Sequence, residues 1–248
     1  MNAKPPTLQA RHLSAALVPI VVLAALNMSA TAVSREREDG TLDLILTTPI
    51  QPGPYIAGKL RGLVMYLLPM LLVPVVTMIL LAIYCLISPE KASMVTAVGS
   101  GTIMVPIMTI YSALAMLFMF PPFVAFAVMI GLQWSIRSKG TISSVIAAVM
   151  VLLAVIGVIG LCGMASGQGI PYLGALISAG SPFNLIFASF MPDRAIPETL
   201  EEAGVNFGPT LLFGALISGV IYGAIVFGMH ASMKKSFMMT VRRLAGTR

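Results

Sequence analysis

The chain reads as an all-α integral membrane protein with about five transmembrane helices, a short cytosolic helix and broken helices at the outer face. Three observations predict this class. Hydrophobic residues make up 58% of the chain and charged residues only 10%, with a mean hydropathy of +0.96, whereas a soluble domain carries about 25% charged residues. The apolar runs are continuous, where an outer-membrane barrel shows short alternating segments. Runs such as Leu13–Val33 and Leu63–Ile87 hold no Asp, Glu, Lys, Arg or His, and each exceeds the about 20 helical residues that cross a hydrocarbon core of roughly 30 Å.

Five spans follow in order at about 13–33, 63–87, 112–134, 141–164 and 209–229, and they make one transmembrane domain over residues 1–248. A cytosolic connection covers 34–62 and an outer region covers 165–208. Basic residues near span ends stay in the cytosol. One side carries Arg35, Arg37, Lys59, Arg61, Arg137, Lys139, Lys234, Lys235, Arg242, Arg243 and Arg248; the other keeps only Lys4, Arg11, Lys91 and Arg194. The split predicts a multi-pass protein of a cytoplasmic (inner) membrane, with the 34–62 connection and the C-terminus cytosolic and the N-terminus outside. The opening twelve residues show no n-region, h-region or cleavage site of a signal peptide.

The net charge of +6 does not imply nucleic acid, because the basic residues flank apolar runs instead of forming one patch. Lys234, Lys235, Arg242 and Arg243 suit anionic lipid headgroups, at about 1 kcal/mol each near the surface. Cys85 and Cys162 lie in apolar runs and form neither a disulfide framework nor a metal spacing.

The outer connections differ from each other. Ser88–Gly101 reads as short and polar, and Thr102–Tyr111 as a short helix broken by Pro106. Ile170–Phe190 is apolar but interrupted by Pro171, Gly174, Gly180 and Pro182. It is too broken to span and too apolar for a free loop. Short half-inserted helices fit it, since backbone at membrane depth must be satisfied inside protein or a wet cavity.

The cytosolic segment Ser34-Arg-Glu-Arg-Glu-Asp-Gly-Thr-Leu-Asp-Leu-Ile-Leu-Thr-Thr-Pro49 concentrates charge between two apolar runs. The first span extends as helix through Arg35–Asp39 until Gly40, which suits a left-handed C′ position. Thr41 offers an N-cap hydroxyl and Asp43 puts negative charge in the first turn of a new helix. Leu42, Ile45 and Leu46 then share one face, and Pro49 ends the helix. Pro52, Gly53 and Pro54 form a turn, with Pro54 suited to the first helical position of the next span. On physics alone, a docking helix and a loop helix resting on headgroups both fit.

The same string, with Gly58-Lys59 nine residues further on, resembles the permease subunits of ABC-2 type transporters. In that family the connection after the second span docks on a separate ATPase as a coupling helix. The residues that match the motif are Glu38, Gly40, Thr41, Leu42, Asp43, Leu44, Leu46, Thr48, Pro49, Gly58 and Lys59, and Glu36, Asp39 and Ile45 complete the expected coupling interface. The resemblance implies an exporter in which two permease subunits, identical or different, work with two ATPase subunits that bind ATP and Mg²⁺. It implies no catalytic residue, metal site or cofactor on this chain. The family usually has six spans with a cytosolic N-terminus, one span ahead of the five read here. A lost start, a span supplied by another chain and a five-span variant all fit that difference.

Gly53-Pro-Tyr-Ile-Ala-Gly58-Lys59-Leu60 satisfies G-x-x-x-x-G-K but has Leu where a phosphate loop needs Ser or Thr for Mg²⁺, and no strand precedes it. None of the five spans holds Asp, Glu, Lys, Arg or His. Ion-coupled carriers and intramembrane enzymes keep such residues despite a cost of roughly 2.5–3.5 kcal/mol, so both classes are disfavoured. A permease driven from outside the bilayer fits, and so does the alternative of a non-transporting anchor that recruits or regulates an ATPase. In the third span, Phe120-Pro121-Pro122-Phe123 is expected to kink the helix, for packing or along a substrate path. Small residues at Gly157, Gly160 and Gly163, and at Ala215, Gly219 and Gly223, permit close helix packing.

Overall fold

The structure, a computed structural model, describes residues 6–40, 52–90, 92–98, 101–138 and 140–245. Its elements are α1 (Pro6–Thr31), α2 (Ser34–Glu38), α3 (Pro52–Ile87), β1 (Ser93–Val98), β2 (Gly101–Pro106), α4 (Ile110–Arg137), α5 (Thr141–Gly167), α6 (Leu173–Ser178), α7 (Pro182–Phe190), α8 (Pro192–Ala195), α9 (Pro197–Ala203), a 3₁₀ turn (Gly204–Phe207) and α10 (Gly208–Ala245). The five long helices α1, α3, α4, α5 and α10 each contain a stretch long and apolar enough to cross a membrane. The all-α membrane class therefore holds.

The helices outrun the apolar spans at their charged ends. Helix α3 is 36 residues long, about 54 Å at 1.5 Å per residue, against a hydrocarbon core of roughly 30 Å. Its surplus carries Lys59 and Arg61. Pro52 and Pro54 open it, at positions where a missing N–H costs nothing. Helix α10, 38 residues long, continues past the apolar run through Lys234, Lys235, Arg242 and Arg243.

Two expectations are overturned: Pro52–Pro54 is the first turn of α3 rather than a turn ahead of it, and the second concerns the outer connection. Thr102–Pro106 is a strand, not a broken helix, and Ser93–Val98 before it pairs with it as an antiparallel hairpin from Ser93↔Pro106 to Val98↔Gly101. The physical reason lies in the side chains. Val95, Thr96, Val98, Thr102, Ile103 and Val105 are β-branched and favour the pleated chain, and Pro106 falls at the ladder's end, where its missing donor is tolerated. The run Ile170–Phe190, by contrast, folds into the short helices α6 and α7, as its prolines and glycines indicate.

The chain divides into two compact units. The first comprises Met1–Ile20, Leu71–Pro121 and Val155–Ile221. In it the hairpin base continues from the end of α3: Ser88 N donates to Tyr84 O, Ala92 N to Ser88 O and Ile107 N to Ala92 O at 2.8 Å. Tyr172, at φ 61°, is the described non-glycine residue with left-handed backbone, and its N–H bonds Thr199 Oγ1 at 3.1 Å. The glycine face of α5 receives α6 and α7. Asn184 Nδ2 donates to Gly160 O at 3.1 Å and Ser178 Oγ to Gly163 O at 3.4 Å. A Cβ at Gly163 would stand 2.7 Å from Asn184 Nδ2 and 3.2 Å from Ser178 Cα. These glycines serve packing within the chain.

The second unit comprises Val21–Met70, Pro122–Ala154 and Tyr222–Arg248. Its core includes Val22, Leu26, Ala30 and Val33 from the first span and Met129, Leu132 and Ile136 from α4, all buried. The two stretches meet where Gly131 has no side chain; a Cβ there would overlap Ser29 Oγ and lie 2.9 Å from Ala30 N.

Gly163→Leu is expected to destabilise the protein by about 1–3 kcal/mol through overpacking. Gly157→Leu, whose Cβ meets nothing within 4 Å, should be close to neutral. Thermal unfolding of the two variants in nanodiscs checks the contrast; equal shifts would contradict the packing described.

Candidate functional site

The charged segment begins where the first span comes apart. Near the end of α1, hydroxyls compete for backbone carbonyls: Ser29 Oγ donates to Leu26 O at 2.9 Å, Thr31 Oγ1 to Asn27 O at 3.0 Å, and Ser34 Oγ to Ala30 O at 3.0 Å. Such back-bonding loosens the helical ladder. The helix stops at Thr31 and α2 starts at Ser34. The two amides at the break are taken by one side chain. Val33 N and Ser34 N both donate to Ser135 Oγ, each at 2.9 Å. Ser135 stands near the end of α4 and is fully buried. From the start of α5, buried Ser144 donates to Ala30 O at 2.7 Å.

Lys59 closes the other side. From the second turn of α3 its Nζ donates to Ala32 O at 3.1 Å and pairs with the Glu36 carboxylate. The motif lysine thus ties the α1–α2 break to α3, the helix that follows the connection. Helix α2 ends at Glu38, and Gly40 has φ 73°, the left-handed turn its position predicts. The Glu38 carboxylate accepts from Thr141 N at 2.7 Å, so it caps the N-terminus of α5 from a separate helix. It lies so close that a Cβ on Gly140 would be 3.5 Å from Glu38 Oε1. Carboxylates at a helix N-terminus complete free N–H groups and meet its positive dipole end.

An open groove of about 610 Å³ runs beside these contacts, lined by Met28, Ala32, Pro54, Gly58, Lys59, Gly62, Leu63 and Tyr66. Gly58 leaves it open, since a Cβ there meets nothing within 4 Å.

Of the residues expected at the coupling interface, Glu36, Glu38, Asp39, Gly40, Gly58 and Lys59 fall in this one neighbourhood or border it. Thr41, Leu42, Asp43, Leu44, Ile45, Leu46, Thr48 and Pro49 lie outside the described residues. Arg35 and Asp39 are exposed. Ser135, Thr141 and Ser144 are the contacts that the sequence reading missed. Their signal was the cluster of hydroxyls around Arg137 and Lys139, between two apolar spans. The G-x-x-x-x-G-K string is helical from Pro52 onward, and its lysine is engaged by Ala32 and Glu36.

Phe120, Pro121, Pro122 and Phe123 sit elsewhere, inside the helix α4. Phe120 and Phe123 are fully buried. Phe123 meets Tyr222 edge-on at a centroid distance of 5.3 Å, and Phe126 lies 5.2 Å from the same ring. Aromatic pairs in this range contribute roughly 0.5–1.5 kcal/mol beyond area burial, which is a packing use for Phe123.

A family model described as ABC-2 family transporter protein matches residues 2–227. The chain belongs to the ABC-2 transporter permease family. It is therefore a multi-pass component of membrane transport, and the Glu36–Lys59 pair joins two parts of the permease's motif region. No curated protein and no solved structure matches the chain.

The two ties of the α1–α2 break differ in weight. Removing one partner of a buried hydrogen bond costs about 1–3 kcal/mol, whereas a part-exposed ion pair contributes roughly 0–1 kcal/mol. Ser135→Ala is thus expected to lower the permease's stability by more than Lys59→Ala. Denaturation in nanodiscs measures both, and the reverse order would contradict the arrangement.

Proposed function

We infer that the chain is the transmembrane subunit of an exporter in a cytoplasmic membrane, driven by a separate ATPase that docks on the 35–49 segment. The observation that carries this reading is the motif region itself. Glu36 and Lys59 stand on opposite flanks of the connection and are joined by an ion pair, with Glu38 bound to the start of α5. Both ends of the segment are held, and a rigid base is what a docking element needs to pass on a push. Membership of the family supports an ATPase partner and a second permease subunit. ATP binding closes the ATPase pair, the docked segment follows, and the spans change the side to which the path opens. The drive requires docking free energy that differs between the two states. ATP and Mg²⁺ stay on the partner, because the near-phosphate-loop string is helical here and its lysine is committed to Glu36. Cytosolic docking also requires the orientation that the basic residues favour.

Leu42→Asp with Leu46→Asp is expected to abolish co-purification of the cognate ATPase, since an unpaired charge buried in a docking cleft costs several kcal/mol, while membrane insertion stays normal. Lys59→Ala should leave ATP binding by the assembled complex intact. Loss of nucleotide binding with Lys59→Ala, together with normal assembly of the double Asp variant, would overturn the docking reading. A reporter fused after Arg248 should read cytosolic and one inserted near Glu198 external; the opposite result at both sites would overturn the orientation.

A further inference from the structure

We propose that movement of the docked segment reaches the transmembrane helices through the α4–α5 turn rather than along the first span, with Ser135 and Glu38 as the positioning residues. This rests on the docking reading above and names the route by which the push travels.

The argument starts from how forces pass through a backbone. A continuous helix transmits displacement along its ladder of hydrogen bonds, and α1 is interrupted just before the charged segment. At the break, Val33 N and Ser34 N turn aside to Ser135 Oγ at 2.9 Å each. The first residues of α2 are thereby attached to α4 at two successive amides. Three residues past Arg35, the Glu38 carboxylate holds Thr141 N at 2.7 Å, which attaches the far end of α2 to α5. Helix α2 is thus bonded at both ends to the helices that the α4–α5 turn joins. The start of α5 is closed by Ser143 Oγ and Ser144 N, which both donate to Gly140 O, at 2.9 and 3.1 Å.

The competing route is α3, reached through Lys59. That tie is a long, flexible side chain with 27% of its surface exposed, and an ion pair of this kind is screened by solvent and salt. Ser135 is 0% exposed and its partners are backbone amides that cannot rotate away, so Ser135 carries the distinction; the Glu38 link is solvent-exposed like that of Lys59. A push on α2 therefore displaces the α4–α5 turn first. Coupling needs a contiguous physical link, and these bonds supply one within a single unit of the fold.

The test uses the permease co-expressed with its cognate ATPase and reconstituted in nanodiscs. Cys85 and Cys162 are replaced by Ser, and a single cysteine replacing Ile142, 77% exposed at the start of α5, carries a bimane fluorophore. In the otherwise unaltered chain, ATP with vanadate is expected to shift the bimane emission. Ser135→Ala should reduce that shift by about tenfold, the scale of a strong coupling perturbation, while ATPase assembly and ATP hydrolysis persist, and Glu38→Ala should reduce it as far in the complexes that form. Glu38→Gln keeps an acceptor for Thr141 N and should restore the shift, which a merely destabilising change would not allow. Glu38 is exposed, so Glu38→Ala decides the matter if Ser135→Ala fails to insert. An undiminished shift in Ser135→Ala or in assembled Glu38→Ala would overturn the route, and so would a shift that Glu38→Gln fails to restore. Absence of any shift and of any assembly in the unaltered chain would overturn the docking reading itself.

Discussion

One buried hydroxyl organises the candidate site. Ser135 receives two consecutive amides at the point where the first span stops being a helix, and without it both donors would be buried and unpaired. Everything beyond depends on that exchange: the direction in which Arg35–Gly40 leaves the first span, the reach of Glu38 to the start of α5, and the position of Ala32 O for Lys59. A continuous helix from α1 through Glu38 would have left no free amide for Ser135 and would have carried Glu36 and Glu38 along the axis of the span.

The absence of charge within the apolar spans becomes meaningful beside this clamp. The chain keeps its Asp, Glu, Lys and Arg residues outside its apolar spans, where water and free helix termini lower the cost of charge. Its apolar lengths then need only pack and slide. Close packing falls to glycines such as Gly131 against Ser29 and Gly163 against Asn184, where a side chain would collide. This division of labour suits a transport subunit whose energy is supplied by another protein.

Much of this was legible in the sequence, and the exceptions have physical causes. Long uncharged runs state their own length, so the five spans could be read directly. Gly40 acts through local backbone rules and behaves as they require, whereas helix α3 begins at Pro52 and takes in the turn expected at 52–54, since prolines are tolerated throughout a first helical turn. The hairpin at 93–106 was hidden because hydropathy does not separate a short apolar strand from a short apolar helix; the β-branched run Val95–Val98 and Thr102–Val105 held the information. The pairing of Lys59 with Glu36 could not be read, since a long side chain finds its partner through tertiary placement. The same holds for Ser135, whose hydroxyl resembles any other at a helix end until the break in α1 meets it.

The central claim is that the 35–49 segment docks on an ATPase. A photo-crosslinking amino acid placed at Leu42 or Leu46 tests it most directly, with one at Val220, exposed within α10, as the comparison. Irradiation of the complex should yield an adduct between the permease and the ATPase subunit from position 42 or 46 and none from 220. Adducts to lipid alone from 42 and 46, with the ATPase present and active, would contradict the account.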